Sequence, residues 1–99
     1  MRYAILSDVH GNLEALTAAL DALKTEAVDR ILCLGDSIGY GADPSACLER
    51  LQTRGAVLVA GNHEWGAIGK LEMVWFHETA RAALLWTRDQ LSVADLDLL

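Results

Sequence analysis

Residues 3–12 read YAILSDVHGN, and this segment sets the pattern for most of the chain. Its four apolar residues are typical of a short buried strand, and the polar loop that follows carries Asp8 and His10. Leucines then recur at steps of three and four between residues 13 and 23, which marks one face of a helix. We expect this helix to reach Ala27, with Asn12 as its N-cap.

Two more apolar runs follow, ILCL at residues 31–34 and AVLVA at residues 56–60. Asp43 followed by Pro44 marks the start of a helix between these runs, and Gly55 marks its end. The third run is apolar throughout, which predicts a strand covered on both faces. The chain is therefore predicted to be an α/β protein, with a β-α-β-α-β parallel sheet, flanking helices and right-handed crossovers.

The remaining third of the chain has weaker signals. Residues 65–76 mix glycine with large apolar residues. They are predicted to form an irregular loop over the functional site, which is described below. Residues 79–91 show helical spacing, with Trp86 expected in the core. Ser92 and Asp95 have the spacing of a capping box and predict a further helix.

Composition excludes several classes of partner. The formal net charge of −6 argues against general nucleic-acid binding, which needs lysine and arginine to neutralise phosphates. No apolar stretch reaches the ~18 residues that would indicate a membrane span, so no membrane partner is expected. Cys33 and Cys47 fit a reducing cytosol better than a disulfide framework, which predicts a cytoplasmic protein.

Metal-ligating side chains follow each of the three predicted strands. Parallel strands bring the loops at their carboxyl ends to one edge of the sheet. The carboxylate of Asp8 and the imidazole of His10 together suit Mn, Fe, Zn or Ni better than Ca or Mg. Asp36 has two oxygens that could bridge two cations, Asn62 offers a carbonyl oxygen, and His63 is suited to proton transfer. Each loop alone is more typical of a cap or a polar turn, but the three together favour a metal site.

The motifs Asp8-Val9-His10, Gly35-Asp36 and Gly61-Asn62-His63-Glu64 resemble, in order and separation, those of the calcineurin-like metallophosphoesterase family. Residues 39–44 resemble its small bacterial phosphodiesterase-type members. The resemblance implies a hydrolase that cleaves phosphodiesters with a water activated between two divalent metals, Mn foremost, and a small phosphate-ester substrate.

The same resemblance assigns roles to individual residues. Asp8 and His10 would bind the first metal, and Asp36 would bridge both metals and so take part in catalysis. Asn62 would bind the second metal and contact the substrate. His63 would contact the phosphate and protonate the leaving oxygen.

One departure from the family pattern leaves the function of this chain open. The family continues with further histidine ligands, whereas this chain has only His10, His63 and His77, and His77 follows no ligand motif. Residues 1–99 therefore resemble the N-terminal part of a single metallophosphoesterase domain, the first half of its α/β sandwich, with the C-terminal half absent. The alternative is a catalytically incomplete fragment that binds metal weakly or self-associates as a homo-oligomer. A nucleotide-binding domain is disfavoured because the phosphate-loop lysine is missing.

Overall fold

The computed structural model describes residues 1–72, 74 and 76–98. Its strands are β1 (Tyr3–Leu6), β2 (Arg30–Cys33) and β3 (Val57–Leu58). Its helices are α1 (Leu13–Leu23), α2 (Pro44–Thr53), α3 (Asn62–Ala67), α4 (Glu78–Gln90) and α5 (Val93–Leu98). The strands form one parallel sheet in the order β1-β2-β3, which confirms the predicted α/β class and the β-α-β-α-β sheet.

Helices α1 and α2 cover the same face of the sheet. This follows from the strand order, because right-handed crossovers between sequential parallel strands place both connections on one side. The core beneath them consists of small and medium apolar side chains from all these elements: Ala4, Leu16, Leu20, Ile31, Cys33, Cys47 and Leu51. This layer fixes the strands and thereby the positions of the loops at their carboxyl ends.

The other face of the sheet is apolar and exposed. Five of its side chains are between 45% and 61% exposed: Tyr3, Ile5, Leu34, Val57 and Val59. The prediction that the third strand is covered on both faces is therefore wrong. A run of consecutive apolar residues indicates that both faces are suited to burial, but it does not say what covers them.

The ends of the first two helices mostly agree with the sequence. The Asn12 side chain accepts a hydrogen bond from the Ala15 N–H at 3.1 Å, as expected of an N-cap. Helix α1 ends at Leu23 rather than at Ala27, because the chain turns there and Ala27 has a left-handed φ of 51°. Gly55, with φ at 69°, follows the end of α2 as predicted.

The segment after β3 is more regular than expected. Residues 62–67 form helix α3, so the predicted loop begins only after this helix, and residues 73 and 75 of that loop lie outside the described residues. Helix α4 matches the helix predicted for residues 79–91. It packs on α2 and α3 through a second apolar cluster: Ile38, Leu48, Ala67, Phe76, Ala80 and Leu84.

The last helix begins at the predicted capping box. The Ser92 hydroxyl accepts from the Asp95 N–H at 3.1 Å, and the Asp95 carboxylate accepts from the Ser92 N–H at 3.0 Å. The same carboxylate accepts a hydrogen bond from the Ser45 hydroxyl at 2.6 Å, which ties α5 to α2.

Trp86 of helix α4, predicted to be core, is 46% exposed. Helical spacing predicted the helix correctly, and its buried residues are Ala80, Leu84 and Thr87.

Two further findings concern the cysteines and the question of a membrane span. Cys33 and Cys47 are both buried and form no disulfide. Among the described residues, no helix combines the length and the apolar character needed to cross a bilayer.

Candidate metal centre

The first loop (residues 7–12) and the second loop (residues 34–43) are joined by backbone hydrogen bonds beyond the ends of β1 and β2. The His10 N–H donates to the Asp36 carbonyl at 2.9 Å, and the Gly11 N–H donates to the Ser37 carbonyl at 2.8 Å. The Gly41 N–H in turn donates to the His10 carbonyl at 2.8 Å. The two loops are thus held side by side by the main chain, whatever their side chains bind.

Three side chains converge where these loops meet. Asp8, His10 and Asp36 each offer a ligand atom, and these atoms all lie within 4.8 Å of one another. Protein ligands approach transition-metal ions to about 2 Å, so atoms this close together can share one cation. Carboxylate and imidazole are donors that divalent transition metals accept. The residues present therefore fit a metal ion.

A hydrogen bond orients the His10 ring for this purpose. Its Nδ1 lies 2.9 Å from the Ile38 carbonyl oxygen. Because a carbonyl can only accept, Nδ1 carries the proton and Nε2 keeps its lone pair. Histidines that bind metals are commonly held this way by a backbone carbonyl.

The same loops hold strained backbone. Among the described residues, five that are not glycine have positive φ, and four of these lie in the first two loops: Asp8, His10, Asp36 and Tyr40. Such conformations cost about 1–3 kcal/mol each and persist only where the surroundings enforce them. All three candidate ligands are therefore held in conformations that the chain would not adopt alone.

His63 lies beside the cluster, in the first turn of α3. It is 5% exposed, and its ring centroid lies 4.6 Å from that of His10, 5.0 Å from that of Tyr40 and 5.4 Å from that of Phe76. Its Nδ1 has no hydrogen-bond partner within the part of the chain that the structure describes. Burial lowers the pKa of His63 below its ordinary value, and the Asp36 carboxylate opposes this shift. Burial therefore favours the neutral form of this imidazole.

Helix α3 is brought to the cluster by Asp36. The Asp36 Oδ1 accepts a hydrogen bond from the His63 N–H at 3.1 Å. Gly61 permits this approach, since a Cβ at that position would lie 2.7 Å from the Asp36 backbone nitrogen. Asn62, the first residue of α3, is exposed next to this contact.

An open groove of about 410 Å³ runs along the first two loops. Its lining includes the carboxylates of Asp8, Glu14 and Asp43, with the exposed Tyr40 ring at one side, and contains no lysine or arginine among the described residues. Such a groove repels a phosphate unless cations are bound there. The charge of the groove therefore agrees with a role for metal.

The structure brings together Asp8, His10 and Asp36 as the sequence predicted, and it places Asn62 and His63 at the adjoining helix. The ligand and catalytic roles of all five stay predictions. His77 does not join this cluster; its Nδ1 accepts from the Ala80 N–H at 3.4 Å at the start of α4, in line with a helix-start role.

Two aromatic residues pack on the site without having been predicted there, Tyr40 and Phe76. The signal for Tyr40 was its place between Gly39 and Gly41, in the loop that carries Asp36. Phe76 had none, because nothing in its local sequence separates it from a core residue.

Comparison with known proteins agrees with this geometry. The family model described as calcineurin-like phosphoesterase matches residues 1–97. An uncharacterized protein of Methanocaldococcus jannaschii is 40% identical over 96 residues, which cover 97% of this chain and 40% of that protein. The crystal structure of a metallophosphoesterase from Sphaerobacter thermophilus is similar with a TM-score of 0.78 and 42% identity, over 99% of this chain and 40% of that one. The chain thus spans about 40% of the length of each relative. It belongs to the calcineurin-like phosphoesterase family.

Proposed function

We propose that this chain carries the metal-binding and phosphate-contacting loops of a metal-dependent phosphoesterase that hydrolyses phosphodiesters. The observation that carries the proposal is the convergence of Asp8, His10 and Asp36 within 4.8 Å at the carboxyl edge of the sheet. Membership of the phosphoesterase family supports it. The cofactors proposed are two divalent cations, Mn²⁺ foremost, with Fe, Zn or Ni as alternatives allowed by the donor set.

Each residue has a separate task in this proposal. Asp8 and His10 would hold the first cation, Asp36 would be shared by both, and the amide oxygen of Asn62 would serve the second. Divalent cations bound here would polarise a phosphoryl oxygen and lower the pKa of a water molecule enough for attack at neutral pH. An amide at the position of Asn62 adds no negative charge, so the loaded site attracts an anionic ester.

His63 is proposed to contact the phosphate and to protonate the leaving oxygen. Burial favours the neutral ring, whereas an anionic ester next to it would favour the charged form and raise the pKa of His63. The packing of the ring against His10, Tyr40 and Phe76 fixes its direction. Orientation of this kind lowers the barrier for proton transfer.

The substrate proposed is a small phosphate ester. The groove next to the cluster has a volume in the range of small-molecule sites, and its acidic lining disfavours a polyanion such as nucleic acid. The free, buried cysteines fit a reducing compartment, so we propose the cytoplasm as the location.

The test is hydrolysis of an aryl phosphodiester with Mn²⁺ by this 99-residue chain and its Asp36→Asn variant. Asp89→Asn, an exposed carboxylate on α4, is the charge-matched control. We expect activity in the parent and the control and its loss in Asp36→Asn. Equal activity in all three proteins would rule out a catalytic site at Asp36.

A second candidate function is self-association without catalysis, and the exposed sheet face favours it. The five apolar side chains on that face would each lose exposed surface against a second copy, and contiguous apolar patches on monomers commonly mark interaction sites. Sedimentation equilibrium over a range of protein concentrations tests this. We expect a dimer that Ile5→Lys disrupts, whereas a concentration-independent monomer would exclude this candidate.

A further inference from the structure

Glu64 lies almost completely buried where the second loop meets helix α3. Its side chain is 2% exposed, in the first turn of that helix. A carboxylate is seldom buried unless polar partners satisfy it. Its partners are three backbone N–H groups: those of Gly61 at 2.8 Å, Asp36 at 2.6 Å and Ile38 at 3.3 Å.

Only one of these bonds belongs to the helix itself. The bond from the Gly61 N–H is local and serves the helix N-terminus. The bonds from the Asp36 and Ile38 N–H groups come from 28 and 26 residues earlier in the chain. Asp36 returns the contact, since its Oδ1 accepts from the His63 N–H. The second loop and α3 are therefore joined in both directions.

The segment that Glu64 holds carries two features of the metal centre. Asp36 has a left-handed φ of 53°, a conformation that needs support. The carbonyl of Ile38 is the acceptor that orients the His10 ring, at 2.9 Å from Nδ1. Glu64 thus fixes the backbone on both sides of the cluster without contacting the ligand atoms of His10.

We propose that Glu64 is a positioning residue of the metal centre, whose carboxylate holds residues 36–38 in the conformation that directs Asp36 and His10 at a shared cation. The inference rests on the proposed function, because the ion is the one proposed there. Its physical basis is that groups outside the ligand shell commonly set metal affinity through the orientation of the ligands.

The test compares Glu64→Asp with Glu64→Gln. Aspartate retains the charge but is shorter by one carbon–carbon bond, about 1.5 Å. Its carboxylate therefore lies too far from the Asp36 N–H to accept the hydrogen bond. Glutamine is nearly isosteric, and its single oxygen can still accept from the Asp36 and Gly61 N–H groups, whereas its NH₂ group cannot accept from the Ile38 N–H. Ile31→Val, which removes one methylene from the core between the sheet and the helices, is the control for loss of stability alone.

Two measurements apply to each protein, both at a temperature where it is folded. The first is Mn²⁺ affinity, from the electron paramagnetic resonance signal of free Mn²⁺. We expect Glu64→Asp to bind about 10-fold to 100-fold more weakly, Ile31→Val to stay within a few-fold of the parent, and Glu64→Gln to lie between these two. Equal affinity in Glu64→Asp and the parent, or an equal loss in Ile31→Val, would overturn the proposal.

The second measurement needs no metal. It is hydrogen exchange of the Asp36 amide, followed by NMR in the parent and both Glu64 variants. We expect strong protection in the parent and in Glu64→Gln, and its loss in Glu64→Asp. A rapidly exchanging Asp36 amide in the parent would refute the role of Glu64, even if the chain bound no Mn²⁺ and the proposed function itself had failed.

Discussion

Gly39→Ala tests whether the packing around His63 is as tight as the structure shows. Gly39 has φ at 87°, and a Cβ added there would lie 2.1 Å from Nδ1 of His63 and 3.0 Å from its Cε1 and Cγ. The ring has little freedom to retreat, because His10, Tyr40 and Phe76 surround it. Either the ring or the second loop must therefore move by about 1 Å or more to reach ordinary van der Waals separation.

The expected cost has two parts. A left-handed conformation at a residue with a Cβ costs about 1–2 kcal/mol. Overpacking of a filled site costs about 1–3 kcal/mol more. Gly69→Ala separates these parts, since Gly69 has φ at 83° but a Cβ there would meet nothing within 4 Å. We expect Gly69→Ala to lose only the first part and Gly39→Ala to lose both.

Guanidinium unfolding of the two variants and the parent measures these losses. The excess of about 1–3 kcal/mol in Gly39→Ala corresponds to a Tm at least about 4 °C lower than that of Gly69→Ala for a chain of this size. Mn²⁺-dependent hydrolysis, where present, should fall about 100-fold in Gly39→Ala, because a displacement of 1 Å at a catalytic group has that effect. Equal stability losses in the two variants would refute the reasoning.

Two further predictions concern the rest of the chain. Burial raises the pKa of Asp95, but hydrogen bonds from Ser45 and Ser92 outweigh burial and hold this pKa below its ordinary value. The contribution of Asp95 to stability is therefore present above about pH 4 and is lost as the pH falls through the lowered pKa. Asp95→Asn should lose about 0.5–1.5 kcal/mol at pH 7 and less at pH 3 by urea unfolding, and an equal loss at both pH values would contradict this. Burial raises the pKa of Cys47 to about 11, so neither it nor the fully buried Cys33 should react with a disulfide reagent at pH 8 until the chain is unfolded. Rapid labelling of the native protein would show that the core is open.

The part of the fold that the sequence predicted is the part set by local patterns. Four-residue apolar runs and leucine spacing identify strands and helices, and Asn12, Gly55 and Ser92 mark helix ends through chemistry that involves only near neighbours. The extent of burial depends on what packs against each strand or helix from elsewhere in the molecule. This is why the exposure of Ile5 and Trp86 was not predicted.

In the candidate site, too, local patterns predicted some features, and contacts between distant parts of the chain determined the others. Asp8, His10 and Asp36 could be predicted as neighbours because parallel strands deliver their loops to one edge. The contacts of Glu64 with residues 36 and 38, and the packing of Tyr40 on His63, depend on the path of the second loop. That path is governed by close backbone approaches at glycine and by left-handed residues, which no local pattern specifies.

Mn²⁺ titration of the folded chain tests whether the loops after β1 and β2 form a metal site. The signal of free Mn²⁺ is followed for the parent, for Asp36→Asn and for Asp89→Asn, with folding checked by circular dichroism. We expect the parent and Asp89→Asn to bind Mn²⁺ equally and Asp36→Asn to bind at least about 10-fold more weakly, since this variant loses a charged ligand at the centre of the cluster. Binding that is unchanged in Asp36→Asn, or no binding by the folded parent, would contradict this expectation.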